Sequence, residues 1–312
     1  MWMERLSHLA WPMTLDAFTT LAPELGWHFT GYQYRYTGDF ACGTRDVVVI
    51  DNKAEDVCTI LFTLAKPTLQ GVELLASLND SFFHYYGAAS AAWGTPIRTK
   101  QGKNPMAAWE LQPGGKLPEA TIRSTRIFSH PKAQSSTRRH PLYYEVSMIW
   151  QDFEANLFST IANFTARTVL IIGLPSEHGR TGVPFVQFAG INALYGGNTN
   201  LIAEICGENV PKGMAIFTPQ QRDELKQLGF TPFEEEIPWQ QELPWPTTSH
   251  IIWNTVRAST LRLRDIGGIE SPDLLVYKAW RYPNNSDTEA DRDIGDKNLH
   301  IPELGIPRER EK

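Results

Sequence analysis

Residues 183–233 read VPFVQFAGINALYGGNTNLIAEICGENVPKGMAIFTPQQRDELKQLGFTPF. Two apolar runs, 183–189 and 200–206, flank a loop rich in Gly and Asn, and both read as strands. Thr218-Pro219-Gln220-Gln221 then has the form of a helix start, with a capping box and a proline at the first helical position. Leu228-Gly229-Phe230 closes that helix. The pattern predicts a sheet with a helix laid on it. The stretch carries no nucleophile motif, no metal-ligand cluster and no phosphate loop, so it reads as a surface for holding a partner.

Strand alternation assigns faces within the stretch. Val186 and Phe188 share one face, Phe185 and Gln187 the other, and Ile202 and Glu204 lie together on the second strand. Phe185, Gln187, Ile202 and Glu204 are therefore the candidate peptide-binding surface, with Trp239 and Trp245 added from the segment that follows. The competing reading places Phe185 and Ile202 beneath the helix of 219–228. On the strand expected over 27–36, Tyr32, Tyr34 and Tyr36 are two residues apart and share one face, a second candidate surface if that face is exposed; cross-strand packing would explain them equally.

Outward from this stretch, the first half predicts a helix from Thr14, irregular near Pro23 and ended by Gly26. Strands follow over 27–36, 46–50 and 57–64, then a helix over 71–93. Extended stretches follow at 97–99 running into 106–111, at 121–128 and at 142–150. In the second half a helix capped by Asp152 precedes a strand at 167–173. Residues 232–246 hold four prolines and three consecutive glutamates and read as an extended connector. A long helix over 248–263 and a short one over 272–280 follow. Residues 283–312 are polar and read as a disordered tail. The expected organisation is α+β, with helix-on-antiparallel-sheet modules at 1–150 and 151–282.

Composition narrows function. The chain has 312 residues, enough for about two domains. Its net charge of -6 disfavours nucleic acid, and Arg138-Arg139 is too small a basic cluster to track a backbone. No run is long and apolar enough to span a membrane, and no leader is evident near the first residues. Three cysteines, Cys42, Cys58 and Cys206, form no C-x-x-C pair and fit a reducing cytoplasm. His130 and His140 lack zinc spacing, and no G-x-S-x-G or dinucleotide fingerprint occurs. The expectation is a non-enzymatic protein with no cofactor and no metal.

Residues 151–282 resemble the TY-Chap family, chaperone-like domains grouped with type III secretion chaperones (CesT, YopN) and YbjN. The resemblance rests on Phe185-Val186-Gln187-Phe188-Ala189, Leu201-Ile202-Ala203-Glu204-Ile205 and Thr218-Pro219-Gln220-Gln221 leading into Leu228-Gly229-Phe230. It continues through Thr260-Leu261-Arg262, Asp265-Ile266-Gly267-Gly268 and Ser271-Pro272-Asp273-Leu274-Leu275-Val276-Tyr277. Trp11-Pro12-Met13-Thr14-Leu15-Asp16 and Ala92-Trp93-Gly94-Thr95-Pro96 resemble an uncharacterised actinobacterial domain. The first resemblance implies a cytoplasmic chaperone-like protein that binds another polypeptide, a secreted substrate or a toxin, with a homodimer open. An immunity-type protein capping a toxin is the alternative, and a hydrolase with a site between the modules is the reading from another class.

Overall fold

The computed structural model describes residues 13–32, 34–40, 43–51, 57–62, 70–110, 119–123, 148–176, 183–190, 200–208, 216–232, 238–283 and 294–309. The chain divides into two compact units, one of 1–100 with 104–125 and one of 101–103 with 126–312.

In the first unit, helix α1 (Leu15–Leu21) begins at Thr14, whose hydroxyl accepts from the Ala17 N–H. Pro23 sits in a 3-10 turn, Ala22–Leu25, and Gly26 ends it with φ 77°. A four-stranded antiparallel meander follows: β1 (Trp27–Phe29), β2 (Arg35–Phe40), β3 (Gly43–Asp51) and β4 (Val57–Phe62). Phe18 of α1, Trp27, Tyr36, Val47 and Val49 form its core. Helix α2 (Gly71–Trp93) accompanies a three-stranded antiparallel sheet of β5 (Arg98–Lys100), β6 (Met106–Glu110) and β7 (Glu119–Arg123). Trp109 joins the two: it is fully buried, its indole N–H donates to the Gly94 carbonyl, and its ring meets those of Tyr86 and Trp93.

The single strand expected over 27–36 is instead a hairpin. Gly31 and Tyr34 take positive φ and reverse the chain, so Trp27 pairs with Gly38. The stretch 97–111 likewise forms two paired strands, with Arg98 opposite Ala108. The strand expected at 121–128 begins two residues earlier, with residues 119–123 paired to β6, and 124–128 lie outside the described residues. In the stretch 142–150, residues 142–147 also lie outside them, and Trp150 opens a helix.

The second unit is built on one six-stranded, wholly antiparallel sheet. Its strands are β8 (Thr168–Gly173), β9 (Phe185–Gly190), β10 (Leu201–Ile205), β11 (Thr231–Pro232), β12 (Trp239–Leu243) and β13 (Val276–Arg281), in the order β11-β12-β10-β9-β8-β13. Helices α3 (Trp150–Ala162), α4 (Pro219–Gln227) and α5 (Ser249–Thr260) cover one face. Phe158 of α3 stacks on Trp253 of α5 at 4.5 Å. Their apolar sides (Phe153, Leu157, Ile161, Ile252 and Val256) are buried, as are Leu170, Ile172, Val186, Phe188, Ala203 and Ile205 of the sheet. Burial of this many aliphatic and aromatic side chains, each worth about 1.5–3 kcal/mol, is what fixes the sheet register. The helix at Thr218 has the expected capping box, closed from both sides by Thr218 and Gln221.

Five expectations for this unit are corrected. Asp152 lies within the first turn of α3 and Ile149 is the N-cap, because the helix begins at Trp150, three residues before the start that an Asp152 cap implies. Residues 232–246 are not merely a connector: Trp239–Leu243 form β12, paired with β10 throughout. Their prolines fall outside the strand, which leaves its ladder intact. Residues 276–281 are a strand and not a helix, since burial alternates along them with period two and only Pro272–Leu274 make a helical turn. The helix expected to 263 is regular to Thr260 and passes into a π-turn over Leu261–Ile266. Finally, the disordered tail expected at 283–312 does not describe residues 294–309. Ile301, Leu304 and Ile306 are buried and the segment hydrogen-bonds to β13. Too few apolar residues are needed for this to stand out in a polar composition.

Candidate functional site

The sheet of the second unit has two unlike faces. Register places Ile171, Gln187, Glu204 and Gln240 in one row across β8, β9, β10 and β12, with Lys278 of β13 at its end. The next row runs Trp280, Val169, Ala189, Ile202 and Glu242. Phe185, opposite Gly173 and Val276, belongs to the row on the other side. Each of these residues alternates with a buried one, so all lie on the face opposite the helices. Phe185, Gln187, Ile202 and Glu204 are all half-buried. The four expected residues are thus brought onto one face of adjoining strands.

Glu204 stands at the middle of this face. Its carboxylate accepts from Gln187 Nε2 at 2.6 Å and from Gln240 Nε2 on the other side. The two amides hold the carboxylate in place and leave it a partly solvated negative group between apolar rows. Asn200 donates to Glu242 at the strand end. A chain laid across the face would meet Phe185, Ile171, Ile202 and Trp280 as apolar contacts, with Glu204 as a fixed acceptor between them.

The helix of 219–228 does not cover Phe185 or Ile202. Gln241, on the buried face beside Ala203, donates to the Leu228 carbonyl and accepts from the Thr255 hydroxyl, which fixes the end of α4 on the same side as α5. Trp239 is not on the candidate surface either. It is buried on the helix side, 6.1 Å from the Phe217 ring, because its register partner Ile205 faces the core. Trp245 is half-buried beyond the end of β12, outside the row pattern. The tyrosine stripe is dispersed by the hairpin. Tyr32 is 74% exposed, Tyr34 sits in the turn, and Tyr36 is buried against Phe18 with its hydroxyl bonded to Thr19.

The helix side carries polar features of its own. A cavity of about 270 Å³ opens between α3, α4 and α5, lined by Glu154, Glu224, Arg257, Arg264 and Asp265 among others; no His or Cys among the described residues lines it. Arg264 pairs with Asp265 at 2.7 Å. Arg222 makes a forked pair with Glu208, and this hydrogen-bonded guanidinium holds the Glu208 carboxyl below its usual range. Cys206 is buried. Burial pushes its thiol up despite the nearby Arg262, and its Sγ accepts from the Phe185 N–H at 3.2 Å. Cys42 lies outside the described residues, as does the side chain of Cys58. No group of three His, Cys, Asp or Glu able to hold a metal occurs among the described residues. Among them no helix is long and apolar enough to cross a membrane. His130, His140 and the Arg138-Arg139 pair lie outside them.

The residues that sequence reasoning missed are those of the neighbouring strands. Ile171, Gln240, Lys278 and Trp280 complete the face, but two of the three strands that bring them there are the stretches expected as connector and helix. Alternation at 276–281 was the available signal.

Two segments match known families. Residues 145–281 match the family described as "T3SS (YopN, CesT) and YbjN peptide-binding chaperone 3", TY-Chap3. Residues 1–118 match a family of unknown function, DUF6301. No curated protein and no solved structure matches the chain.

Proposed function

We propose that the second unit binds an extended segment of another polypeptide on the sheet face opposite its helices, and that the protein acts as a chaperone-like holder without catalysis. The observation that carries this reading is the row Gln187–Glu204–Gln240, a fixed carboxylate set among half-buried apolar side chains. Apolar contact supplies affinity for a segment of mixed sequence, and the carboxylate favours one with a Lys or Arg at the matching place. The peptide-binding description of the family matched by 145–281 supports the same reading. The proposed setting is a secretion or toxin system in the cytoplasm, which the net charge of -6 suits by keeping the holder soluble beside basic clients. A role as an immunity-type cap on a toxin would use the same face.

The test is binding of the full chain to an array of overlapping peptides, read beside Ile202→Asp and Glu204→Lys variants. Capture of a peptide set enriched in apolar and basic residues, lost in Ile202→Asp and depleted of basic peptides in Glu204→Lys, is the expected result. A bound set unchanged in both folded variants would remove this face as the site.

A further inference from the structure

The free edge of the sheet at β13 is already occupied. Residues 296–309, beyond the segment matched by the chaperone family, return along that edge and make five backbone hydrogen bonds to it. Asp296 and Arg281 exchange a pair, Leu299 N–H donates to the Ala279 carbonyl, and Tyr277 N–H donates to the Pro307 carbonyl while its own carbonyl accepts from Glu309 N–H. The run is antiparallel at Arg281–Asp296 and parallel at Tyr277–Arg308. Between these points a 3-10 turn, Pro302–Leu304, crosses to α3, where Asn156 Nδ2 donates to the Leu304 carbonyl at 3.4 Å.

Side chains anchor the segment at separate points. Ile301, Leu304 and Ile306 are each buried, and the Ile301 N–H donates to the Tyr277 hydroxyl at 2.8 Å. The last anchor is ionic. The Glu309 carboxylate accepts from the Ser176 N–H at 2.6 Å and the Ser176 hydroxyl at 3.0 Å, and lies 3.2 Å from Lys278 Nζ. Backbone pairing at a sheet edge, with spaced pockets for apolar side chains and one charge reader, is the anatomy of a bound extended peptide. A segment integral to the sheet would instead run as one strand. Here the pairing changes sense within a dozen residues, and Pro302 and Pro307 have no N–H to give.

We propose that the β13 edge, with its flank on α3, is a peptide-acceptor site and that residues 296–309 are its resident ligand in cis, displaceable by a partner segment of the same chemistry. That chemistry is an apolar residue, a second three positions on, a third two further, and a carboxylate three beyond, as in Ile301, Leu304, Ile306 and Glu309. The site lies three strands from Ile202 and shares with the face proposed above only Lys278, at the end of its row. The tether explains how such a site stays closed. A covalently linked occupant competes at an effective concentration on the order of millimolar, so a free peptide sees only the small fraction of molecules whose edge is open.

The experiment uses the full chain and a labelled peptide of residues 294–312. Gly305→Val weakens the resident segment selectively, because Gly305 has φ 78° and a Cβ there would press on Met148 and come 2.8 Å from Asn156 Nδ2. Fluorescence anisotropy should show the peptide binding Gly305→Val at least tenfold more tightly than wild type. Glu309→Gln in the peptide should weaken binding severalfold, and Lys278→Met in the chain should abolish much of that difference. Ile202→Asp should leave all of this unchanged. A folded Gly305→Val that binds the peptide no better than wild type, or that exchanges tails into a dimer and takes up no peptide, overturns the proposal. Amide exchange on the wild type gives an answer even if the variant does not fold. The Leu299 and Glu309 amides should exchange by local opening at least a hundredfold faster than those of Phe188 and Ala203. Exchange of all four at one common rate would make the segment permanent structure and overturn the proposal.

Discussion

Gln187 Nε2 donates to Glu204 Oε2 at 2.6 Å across β9 and β10, on the sheet face that no described helix of the unit covers. The same carboxylate accepts from Gln240 on the far side. Two amides therefore hold one charge in register at the middle of the face.

On the proposed function, this arrangement separates binding from stability. Glu204→Gln keeps the size of the side chain and removes its charge. Because the group is half-solvated, its hydrogen bonds contribute modestly, and the substitution should cost no more than about 1 kcal/mol. Urea unfolding should show a small change in midpoint with an unchanged slope, while affinity for basic peptides falls about tenfold. A loss of several kcal/mol would mean that Glu204 is a folding residue.

Gly229→Ala should destabilise the second unit by about 1–3 kcal/mol. Gly229 has φ 95°, and an added Cβ would stand 2.5 Å from Gln241 Nε2. That amide donates to Leu228 and its oxygen accepts from Thr255, so the clash falls on the link between α4, β12 and α5. Thermal unfolding of the variant beside wild type measures the effect. An unchanged midpoint would contradict the geometry.

Arg262→Ala should be among the most damaging single changes, on the order of 3 kcal/mol or more. The side chain is fully buried in the π-turn, its Nε donates to the Cys206 carbonyl at 2.7 Å, and its guanidinium lies 5.3 Å from the Phe217 ring centroid. Truncation empties that volume and strips a buried carbonyl of its donor. Arg262→Lys should recover only part of the loss, because an ammonium cannot reproduce the flat contact with Phe217. Chemical denaturation of both variants checks the order.

Acid should release the C-terminal segment before the sheet unfolds. Burial raises the Glu309 pKa, but the Ser176 N–H, the Ser176 hydroxyl and Lys278 together outweigh it and hold the carboxyl below its usual range. A carboxyl depressed on folding stabilises the fold fully above its unfolded pKa of about 4.3, and the contribution disappears as pH falls through the lower folded value. Protection of the Glu309 amide should therefore drop below about pH 4 while the β9 and β10 amides stay protected. Glu309→Gln should make that protection nearly independent of pH over the same range. An acid response unchanged in Glu309→Gln would place its cause elsewhere.

Much of the second unit was legible in the chain. The capping box at Thr218, the strands around 185–190 and 201–205, and the split of Phe185 and Gln187 from Val186 and Phe188 all follow from local rules, and all are present. In the first unit the helix over 71–93 was equally plain. These are features that neighbours in sequence decide between themselves, through capping, turn geometry and periodicity. The β1–β2 hairpin and the strand at 276–281 were not read, because short apolar runs carry the same letters whether they turn, coil or extend. Residues 239–243 were masked in the same way by the prolines around them.

Sequence alone determined that the chain is α+β, that it resembles a chaperone-like family over its second half, and which residues of β9 and β10 share a face. Only the tertiary structure decided that β12 and β13 join the sheet, that Trp239 and Tyr36 are buried, and that residues 294–309 close its edge. The physical reason is that strand partners, and the partner of a sheet edge above all, are chosen by hydrogen bonds between residues far apart in the chain, which leave no periodic trace in either one.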